Sequence, residues 1–470
     1  MSWMTNIDAL HDPKTVFLSA AFILAVALCV NMMRRGRGEM HKRGVLVADG
    51  KPMQRRCARR RRSNSDLLTL AGIAIPLIDE AKHFKLIGTT GTGKSTAIGE
   101  LLAAAIARGD RAVFADPDAA YRARFHDRYR GDIVLNPFEP DSVKWDLFAE
   151  IESSYDAEQL ASALISSCED AAAREWRGYA RTFLAALLRR CHAAGIREMS
   201  ALWRLLNVAP AEELRSIVAG TPAQPFLDPD NARMFGSIRS VAGSAAAAFE
   251  HIASQRARLF SLRKWVRSPA GAGLLFIPYR AGQIAALKSI IAAWMRIAIF
   301  EAMSQPLDND QRLWFVVDEL DALGAIDGLK DALARLRKFG GRCVLGLQSI
   351  SQVSATYGAD AQTIVENCSN TVILRCAGSE HGGTSQFASR LIGEREVVRR
   401  QISRGKDREA SFAVRGARRS RSVTDQRVME TAVLPSELEQ LPDLCGYFKG
   451  ASSAHWLKVV LPGRKPHVRR

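Results

Sequence analysis

A glycine-rich octapeptide combines residue types that bind phosphate groups. It reads GTTGTGKS over Gly88–Ser95 and matches the pattern G-x-x-x-x-G-K-[ST]. Its glycines let the backbone turn tightly, so that several amide N–H groups can face phosphate oxygens. Lys94 would bridge the β- and γ-phosphates of ATP, and Ser95 would coordinate Mg²⁺. The predicted ATP-binding residues are Gly88, Thr89, Thr90, Gly91, Thr92, Gly93, Lys94, Ser95 and Thr96.

Two adjacent acids follow an apolar run far along the chain. The run RLWFVVDEL is typical of a parallel strand buried on both faces. Asp318 would bind Mg²⁺ at the end of this strand, and Glu319 would polarise the attacking water as general base. Asp116 also ends an apolar run, RAVFADP, but no second acid follows it directly. We interpret that run as the next strand of the same sheet.

Two further apolar runs are predicted strands that end in polar residues. Gln348 ends RCVLGLQ and could sense the γ-phosphate or orient the water, although a loop-capping amide is an alternative. The run NTVILRC ends near Arg375.

The flanks of the octapeptide give it the context that a phosphate-binding loop needs. HFKLI precedes it as a strand candidate, and an Ala- and Leu-rich stretch predicts a helix after Ser95. The helix N-terminus would add partial positive charge at the phosphates. Strands alternate with helical patterns on both sides of the chain's middle, which favours an α/β fold with an open parallel sheet.

A long insertion separates the two halves of this site, because Asp318 lies 223 positions after Ser95 in the chain. Segments such as AEQLASALI and MSALWRLL within it have apolar residues at helical spacing, which predicts an all-α domain. The predicted division is a membrane anchor over 1–42, a nucleotide-binding domain over 43–152 and 255–470, and the all-α domain over 153–254.

Residues 15–33 carry no charge and predict a single transmembrane helix. Such a helix would span ~28 Å, about the thickness of a bilayer's hydrocarbon core. A cleaved signal peptide is the alternative, but its apolar region is shorter. Basic residues follow the run, so the positive-inside rule places the bulk of the chain in the cytoplasm.

The formal net charge of +17 favours a polyanionic partner, either nucleic acid or an anionic membrane surface. A basic linker at Arg55–Arg62 could contact lipid headgroups or DNA, or be a solvated spacer. The stretch Arg395–Arg427 has 11 Lys or Arg and four acids, with little periodicity. A flexible DNA-contacting segment and a disordered surface loop both fit it.

Aromatic and basic residues interleave in the all-α segment, at Trp176, Arg177, Tyr179 and Arg181. They could stack on and clamp single-stranded bases. Ordinary helix packing with the arginine heads extending to solvent is the favoured alternative.

Several segments together resemble the type IV coupling proteins of bacterial conjugation, the TraD/TrwB type. In chain order they are GTTGTGKST, LNPFEPDSVKWDLFAEI, REWRGYARTFL, GTPAQPF, WFVVDELDALGAIDGL, LRKFGGRCVLGLQSISQ and IVENCSNTVILRC. The resemblance covers residues 43–460 and rests on the combined set, because many ATPases share the octapeptide.

The resemblance implies a RecA-like ATPase domain interrupted by an all-α domain, in a hexameric ring related to the FtsK and HerA motors. It implies DNA-stimulated ATP hydrolysis at the bacterial inner membrane. It also implies delivery of a relaxase–DNA complex from the relaxosome to a type IV secretion channel. Lys94, Glu319 and Gln348 take the family's catalytic positions, and Arg337 matches its arginine that acts across the subunit interface. Arg375 is a second candidate for that arginine.

One departure from the family is the single predicted membrane helix, because many relatives have two. Two other functions remain open: a receptor that binds ATP and DNA without pumping, and an FtsK- or HerA-like motor outside conjugation.

Overall fold

The computed structural model describes residues 40–63, 67–166, 170–268, 273–306, 312–380, 382–407 and 418–463. The predicted transmembrane helix over residues 15–33 lies outside these ranges. Within them, none of the helices combines the length and the apolarity that a bilayer span requires.

Strands and helices alternate along most of the described chain. The strands are β1 (Met40–Gly44), β2 (Val47–Asp49), β3 (Thr69–Leu70), β4 (Ile73–Ala74), β5 (Phe84–Ile87), β6 (Arg111–Pro117), β7 (Ile133–Val134), β8 (Lys144–Trp145), β9 (Leu259–Phe260), β10 (Leu275–Tyr279), β11 (Leu313–Val317), β12 (Gly341–Leu347), β13 (Asn370–Ile373), β14 (Glu394–Asp407), β15 (Arg418–Thr431), β16 (Cys445–Lys449) and β17 (Trp456–Val460). The helices are α1 (Lys51–Ser63), α2 (Leu77–Glu80), α3 (Lys94–Ala107), α4 (Ala120–Phe125), α5 (Asp156–Leu164), α6 (Ala171–Ala193), α7 (Met199–Asn207), α8 (Ala211–Val218), α9 (Ala232–Ala245), α10 (Phe249–Ser254), α11 (Leu262–Arg267), α12 (Ile284–Met303), α13 (Leu329–Arg335), α14 (Ile350–Tyr357), α15 (Asp360–Asn367), α16 (Gly383–Ile392) and α17 (Pro435–Glu439).

The chain divides into two compact units. Among the described residues, the first unit, called the hairpin unit, comprises 40–46, 392–407 and 418–433. The second, called the main unit, comprises those described within 47–391 and 434–463. This division does not follow the predicted domain boundaries at 152 and 254, which stay a prediction.

A ten-stranded sheet forms the centre of the main unit, in the order β2-β17-β16-β13-β5-β12-β11-β6-β10-β7. The strands from β13 to β7 in this order are parallel to one another. Their apolar side chains are buried on both faces, as near-continuous apolar runs require. The predicted α/β architecture is therefore confirmed, and the runs ending near Asp116, Asp318, Gln348 and Arg375 are the strands β6, β11, β12 and β13.

Every element described from α5 to α10 is helical, as the helical spacing predicted. The long helix α6 packs against α5 and α9, and the rings of Phe183 and Phe235 meet edge to face at 5.2 Å. These helices lie between β8 and β9 in sequence, and those two short strands pair with each other. This pairing brings together the two ends of the helical insertion.

A buried ion cluster fixes the C-terminal end of α3, the helix that follows the glycine-rich loop. The Arg108 guanidinium donates to both Glu80 carboxylate oxygens, at 2.8 and 2.6 Å, and to Asp110 at 2.6–3.0 Å. The Glu80 and Asp110 side chains are only 2% and 4% exposed. Trp314 Nε1 on β11 also donates to Asp110, at 2.8 Å. The cluster therefore connects the C-terminal end of α3 to the sheet near the start of β11, away from the glycine-rich loop.

The hairpin unit corrects the interpretation of residues 395–427 as a flexible or disordered segment for the described parts, 395–407 and 418–427, which form strands. Residues 408–417 lie outside the described ranges. Strands β14 and β15 pair antiparallel along their whole length, and β1 pairs with the other side of β14. Cross-strand ion pairs join Arg400 to Asp425 at 3.0 Å and Arg395 to Glu430 at 2.8 Å. Residues 399–401 and 422–427 of these strands are exposed, and their sequence lacks the apolar alternation by which strands are recognised.

The predicted basic linker forms a helix, α1, and its possible contacts with lipid or DNA stay a prediction. Gln54 Nε2 donates to the carbonyls of Ala71 and Val460, at 2.7 and 2.8 Å. Cys57, which also belongs to this helix, is buried. Arg has high helix propensity, which favours this conformation once one face is anchored. The arginines Arg55, Arg56 and Arg59 remain exposed.

Candidate nucleotide-binding site

The glycine-rich loop connects β5 to α3 and adopts a backbone that glycine permits. Gly91 and Gly93 have φ angles of 77° and 114°, in the left-handed region that side chains with a Cβ rarely enter. Thr92 Oγ1 donates to the Thr89 carbonyl at 2.8 Å and tightens the turn. The loop therefore ends at the N-terminus of a 14-residue helix, where backbone N–H groups favour an anion.

Lys94 lies inside this loop rather than in solvent. Its Nζ donates to the carbonyls of Gly88 and Thr89, at 2.7 and 3.1 Å, and the residue is 6% exposed. Burial lowers the pKa of the Lys94 ammonium, while Asp318 and Glu319 oppose that shift. The positive charge is therefore held where a phosphate group would compensate its desolvation.

Strand order brings the two halves of the predicted site together. Strand β12 lies between β5, which leads into the loop, and β11, which ends at Asp318. Because all three strands are parallel, their carboxyl ends meet at one edge of the sheet. Ser95 Oγ consequently donates to Asp318 Oδ2 at 2.5 Å, despite the long insertion between them.

The Asp318 carboxylate has the properties of a Mg²⁺ ligand. The residue is 3% exposed, and the Tyr121 hydroxyl donates to its Oδ2 at 2.8 Å. Its other oxygen, Oδ1, is buried and has no hydrogen-bond partner among the described residues. A free carboxylate oxygen beside the Ser95 hydroxyl supplies the hard oxygen ligands that Mg²⁺ takes. The residues present thus fit the predicted cation.

Glu319 and Gln348 form a hydrogen-bonded pair at the same edge. Gln348 Nε2 donates to Glu319 Oε1 at 2.7 Å, and its Oε1 accepts from Thr90 Oγ1 at 3.3 Å. Burial raises the pKa of Glu319, and the negative charges of Asp318 and Asp321 raise it further. Gln348 therefore links the general-base candidate to the glycine-rich loop.

Asp116 lies on the neighbouring strand β6 and is directed into the same acidic region. Its carboxylate accepts from the backbone N–H groups of Tyr121 and Arg122, at 2.9 and 2.7 Å. Burial raises the pKa of Asp116 to about 6, and these two hydrogen bonds counteract part of that rise. The carboxylate thereby fixes the start of the short helix that carries Tyr121.

Two tyrosines of this site carry no motif by which the sequence analysis could have found them. Tyr121 is buried against Phe114, and its hydroxyl orients Asp318. Tyr279 ends β10 and is 5% exposed, and its hydroxyl has no partner among the described residues. Burial raises the pKa of the Tyr279 hydroxyl, with Glu319 and Asp318 as the nearest charges that add to the rise.

The two arginine candidates lie at different ends of the sheet. Arg337 belongs to a 3₁₀ turn, Leu336–Phe339, that precedes β12, so the structure places it at the edge opposite the glycine-rich loop. It is exposed there. Arg375 follows β13 beside the loop: its carbonyl accepts from Thr89 N at 2.9 Å, and its guanidinium pairs with Asp443 at 2.7 Å. The chain itself therefore brings only Arg375 near the site.

Comparison with known proteins agrees with this architecture. The model of a family described as the type IV secretion-system coupling protein DNA-binding domain matches residues 67–462. The coupling protein TraD of Escherichia coli K12 is 28% identical over 492 aligned positions, which cover 99% of this chain and 65% of TraD. This chain thus spans about two thirds of that relative's length.

Solved structures of the bacterial conjugative coupling protein TrwB share the fold. The unbound TrwBΔN70 form is 30% identical, with a TM-score of 0.78 over 91% of this chain and 94% of that one. TrwB in complex with ADP and Mg²⁺ is 29% identical, with a TM-score of 0.78 over 91% of this chain and 95% of that one. Because the family model matches most of its residues, the chain belongs to the type IV secretion-system coupling proteins, of the TraD/TrwB type.

Proposed function

We propose that this protein is a coupling ATPase that hydrolyses ATP to move DNA into a type IV secretion channel. The observation that carries the proposal is the meeting of Ser95, Asp318, Glu319 and Gln348 beside Lys94 in a chain of the coupling-protein family. A related protein, TrwB, is described in complex with ADP and Mg²⁺, which supports ATP and Mg²⁺ as ligands of this site.

Each side chain of the site has a distinct task in this mechanism. Lys94 leaves its loop carbonyls to bind the β- and γ-phosphates, and the loop N–H groups surround the phosphate oxygens. Ser95 and Asp318 would hold Mg²⁺, which when bound would offset the negative charge of the phosphates. Glu319 accepts a proton from the attacking water, and its raised pKa matches it to that transfer. Gln348 keeps the Glu319 carboxylate in place.

The partners belong to the proposal as well. The substrate is a relaxase bound to DNA, delivered from the relaxosome to channel components. The chain is anchored in the bacterial inner membrane by residues 15–33, with its bulk in the cytoplasm. It acts as a homo-hexamer in which an arginine of one subunit reaches the ATP of the next. Arg337 suits this role, because it is exposed and remote from the site of its own chain.

The receptor alternative differs in one respect: it needs ATP and DNA binding but no hydrolysis. The buried base candidate Glu319, held by Gln348 next to the Mg²⁺ ligand, favours hydrolysis over binding alone. An FtsK- or HerA-like role outside conjugation is disfavoured by membership of the coupling-protein family.

A mating assay with Lys94→Ala tests the proposal. In cells whose relaxase and channel genes require this protein, the variant should lose DNA transfer, because the phosphates lose their buried cation. We expect a fall of at least about 10²-fold, the scale at which one charged contact to the transferred group acts. The exposed Lys458→Ala serves as the matched control and should transfer normally. Transfer that survives Lys94→Ala would establish the receptor function instead.

A further inference from the structure

A basic groove lies where the helical segment meets the helix layer of the central sheet. It has a volume of about 930 Å³ and is bounded by α5, α6, α9 and the first turns of α12. Its cationic residues are Arg177, Arg233 and Lys288, and the described residues that line it include no carboxylate. Three serines of α9 add hydroxyl groups to one wall. The groove therefore suits a ligand with several anionic oxygens.

The cations of the groove differ in how firmly they are held. Arg177 Nη1 donates to the Ser166 carbonyl at 2.8 Å, which fixes its guanidinium in the wall. Arg233 and Lys288 are exposed and reach the groove from opposite sides, one on α9 and one on α12. Two exposed cations on different walls of a groove can contact successive phosphates of a single strand.

An aromatic ring distinguishes the expected ligand from simple phosphate. Trp176 lines the groove and is only half-buried, although its neighbour Tyr179 packs against Phe226 with ring centroids 5.5 Å apart. Arg181 is likewise structural, since its Nε donates to the Ile165 carbonyl at 2.6 Å. Of the interleaved residues in α6, only Trp176 and Arg177 thus face the groove. The Trp176 ring meets Tyr179 edge to face at 6.0 Å and stays partly exposed. A partly exposed indole beside cations is an arrangement on which unpaired bases stack.

The groove also lies next to the segment that carries the acids of the ATP site. The Lys288 side chain approaches Gly324, where a Cβ would lie 3.5 Å from its Cε. Gly324 follows Asp318 and Glu319 in the same loop between β11 and α13. A ligand that repositions Lys288 would therefore act on this loop directly.

We propose that this groove binds single-stranded nucleic acid, with phosphates on Arg233 and Lys288 and a base on Trp176. The proposal rests on the DNA-handling function proposed above and gives it a location. A structured protein partner is the less favoured occupant, because the described lining residues carry three cations and no carboxylate, which suits a polyanion.

Binding of a fluorescein-labelled oligothymidylate of about 20 nucleotides to the full chain in detergent tests the proposal. Fluorescence anisotropy should show the double variant Arg233→Glu, Lys288→Glu binding at least about tenfold more weakly than wild type. The slope of log affinity against log salt concentration should fall by about 1.4, the value for two single-strand phosphate contacts. Arg256→Glu, Lys264→Glu makes the same charge change at exposed residues outside the groove and should keep wild-type affinity.

A steric variant separates binding from folding. A Cβ at Gly236 on α9 meets nothing within 4 Å and extends from the groove wall, so Gly236→Leu should fold and fill the groove. Leu also raises the helix propensity at this position. We expect weakened oligothymidylate binding with an unchanged circular dichroism spectrum.

The outcomes separate the two proposals. Wild type that binds the oligonucleotide, with both groove variants binding equally well, overturns the groove and leaves the proposed function standing. Wild type that binds no single-stranded DNA overturns both. Loss of binding in the groove variants, with the control unaffected, supports the groove as the binding site.

Discussion

Glu319→Gln should bind ATP normally and hydrolyse it about 10²- to 10⁴-fold more slowly, the contribution typical of a general base. The substitution keeps the shape of the side chain and can still hydrogen-bond to Gln348, but its amide cannot accept a proton from water. Lys94, Ser95 and Asp318 stay in place, so ATP and Mg²⁺ should still bind. Steady-state phosphate release, together with equilibrium binding of a fluorescent ATP analogue, measures both effects.

The matched control for this variant is Glu366→Gln, an exposed glutamate on α15. It should hydrolyse ATP at the wild-type rate. Hydrolysis by Glu319→Gln at that same rate would remove Glu319 from the mechanism. A loss of ATP binding in Glu319→Gln would instead assign the residue a structural role in the nucleotide pocket.

Arg108→Leu should lower the free energy of unfolding by about 3 kcal/mol, at the low end of the range for breaking a buried ion pair. The variant leaves Glu80 and Asp110 buried without their closest cation. Arg342 and Arg312 remain at 3.4 and 3.9 Å from these carboxylates, which limits the loss. Urea denaturation followed by circular dichroism measures the change.

Arg204→Leu is the comparison for this prediction, because Arg204 pairs with Glu213 on the protein surface. Exposed ion pairs contribute little, so its unfolding curve should nearly coincide with that of wild type. If Arg108→Leu also unfolded like wild type, the buried cluster would not anchor the helix that follows the glycine-rich loop.

The parts of the site that were predictable from sequence are those fixed by local chemistry. The glycine spacing of Gly88–Ser95, between a strand and a helix, indicates a phosphate-binding loop. The acids Asp318 and Glu319 follow a strand too apolar to lie anywhere but inside a sheet. Parallel strands then bring both segments to one edge, so their meeting follows without knowledge of the insertion.

Other features depend on tertiary contacts that the sequence does not specify. Tyr121 reaches Asp318 only because Asp116 fixes the turn before its short helix. In strands β14 and β15, residues 399–401 and 422–427 are exposed, and this part of the sequence shows no apolar alternation. Helix α1 looked like a charged spacer because its anchors are a glutamine and a cysteine rather than an apolar stripe.

The central claim is that DNA drives ATP hydrolysis at the site formed by Lys94, Asp318 and Glu319. Its most direct test is the rate of Mg²⁺-dependent ATP hydrolysis by the full chain in detergent, measured against increasing single-stranded DNA. We predict a rate that rises with DNA concentration to a plateau, and that stays near zero in Glu319→Gln at every concentration. A wild-type rate that is absent throughout, or that does not respond to DNA, would contradict the claim and favour a receptor that binds its substrate without pumping it.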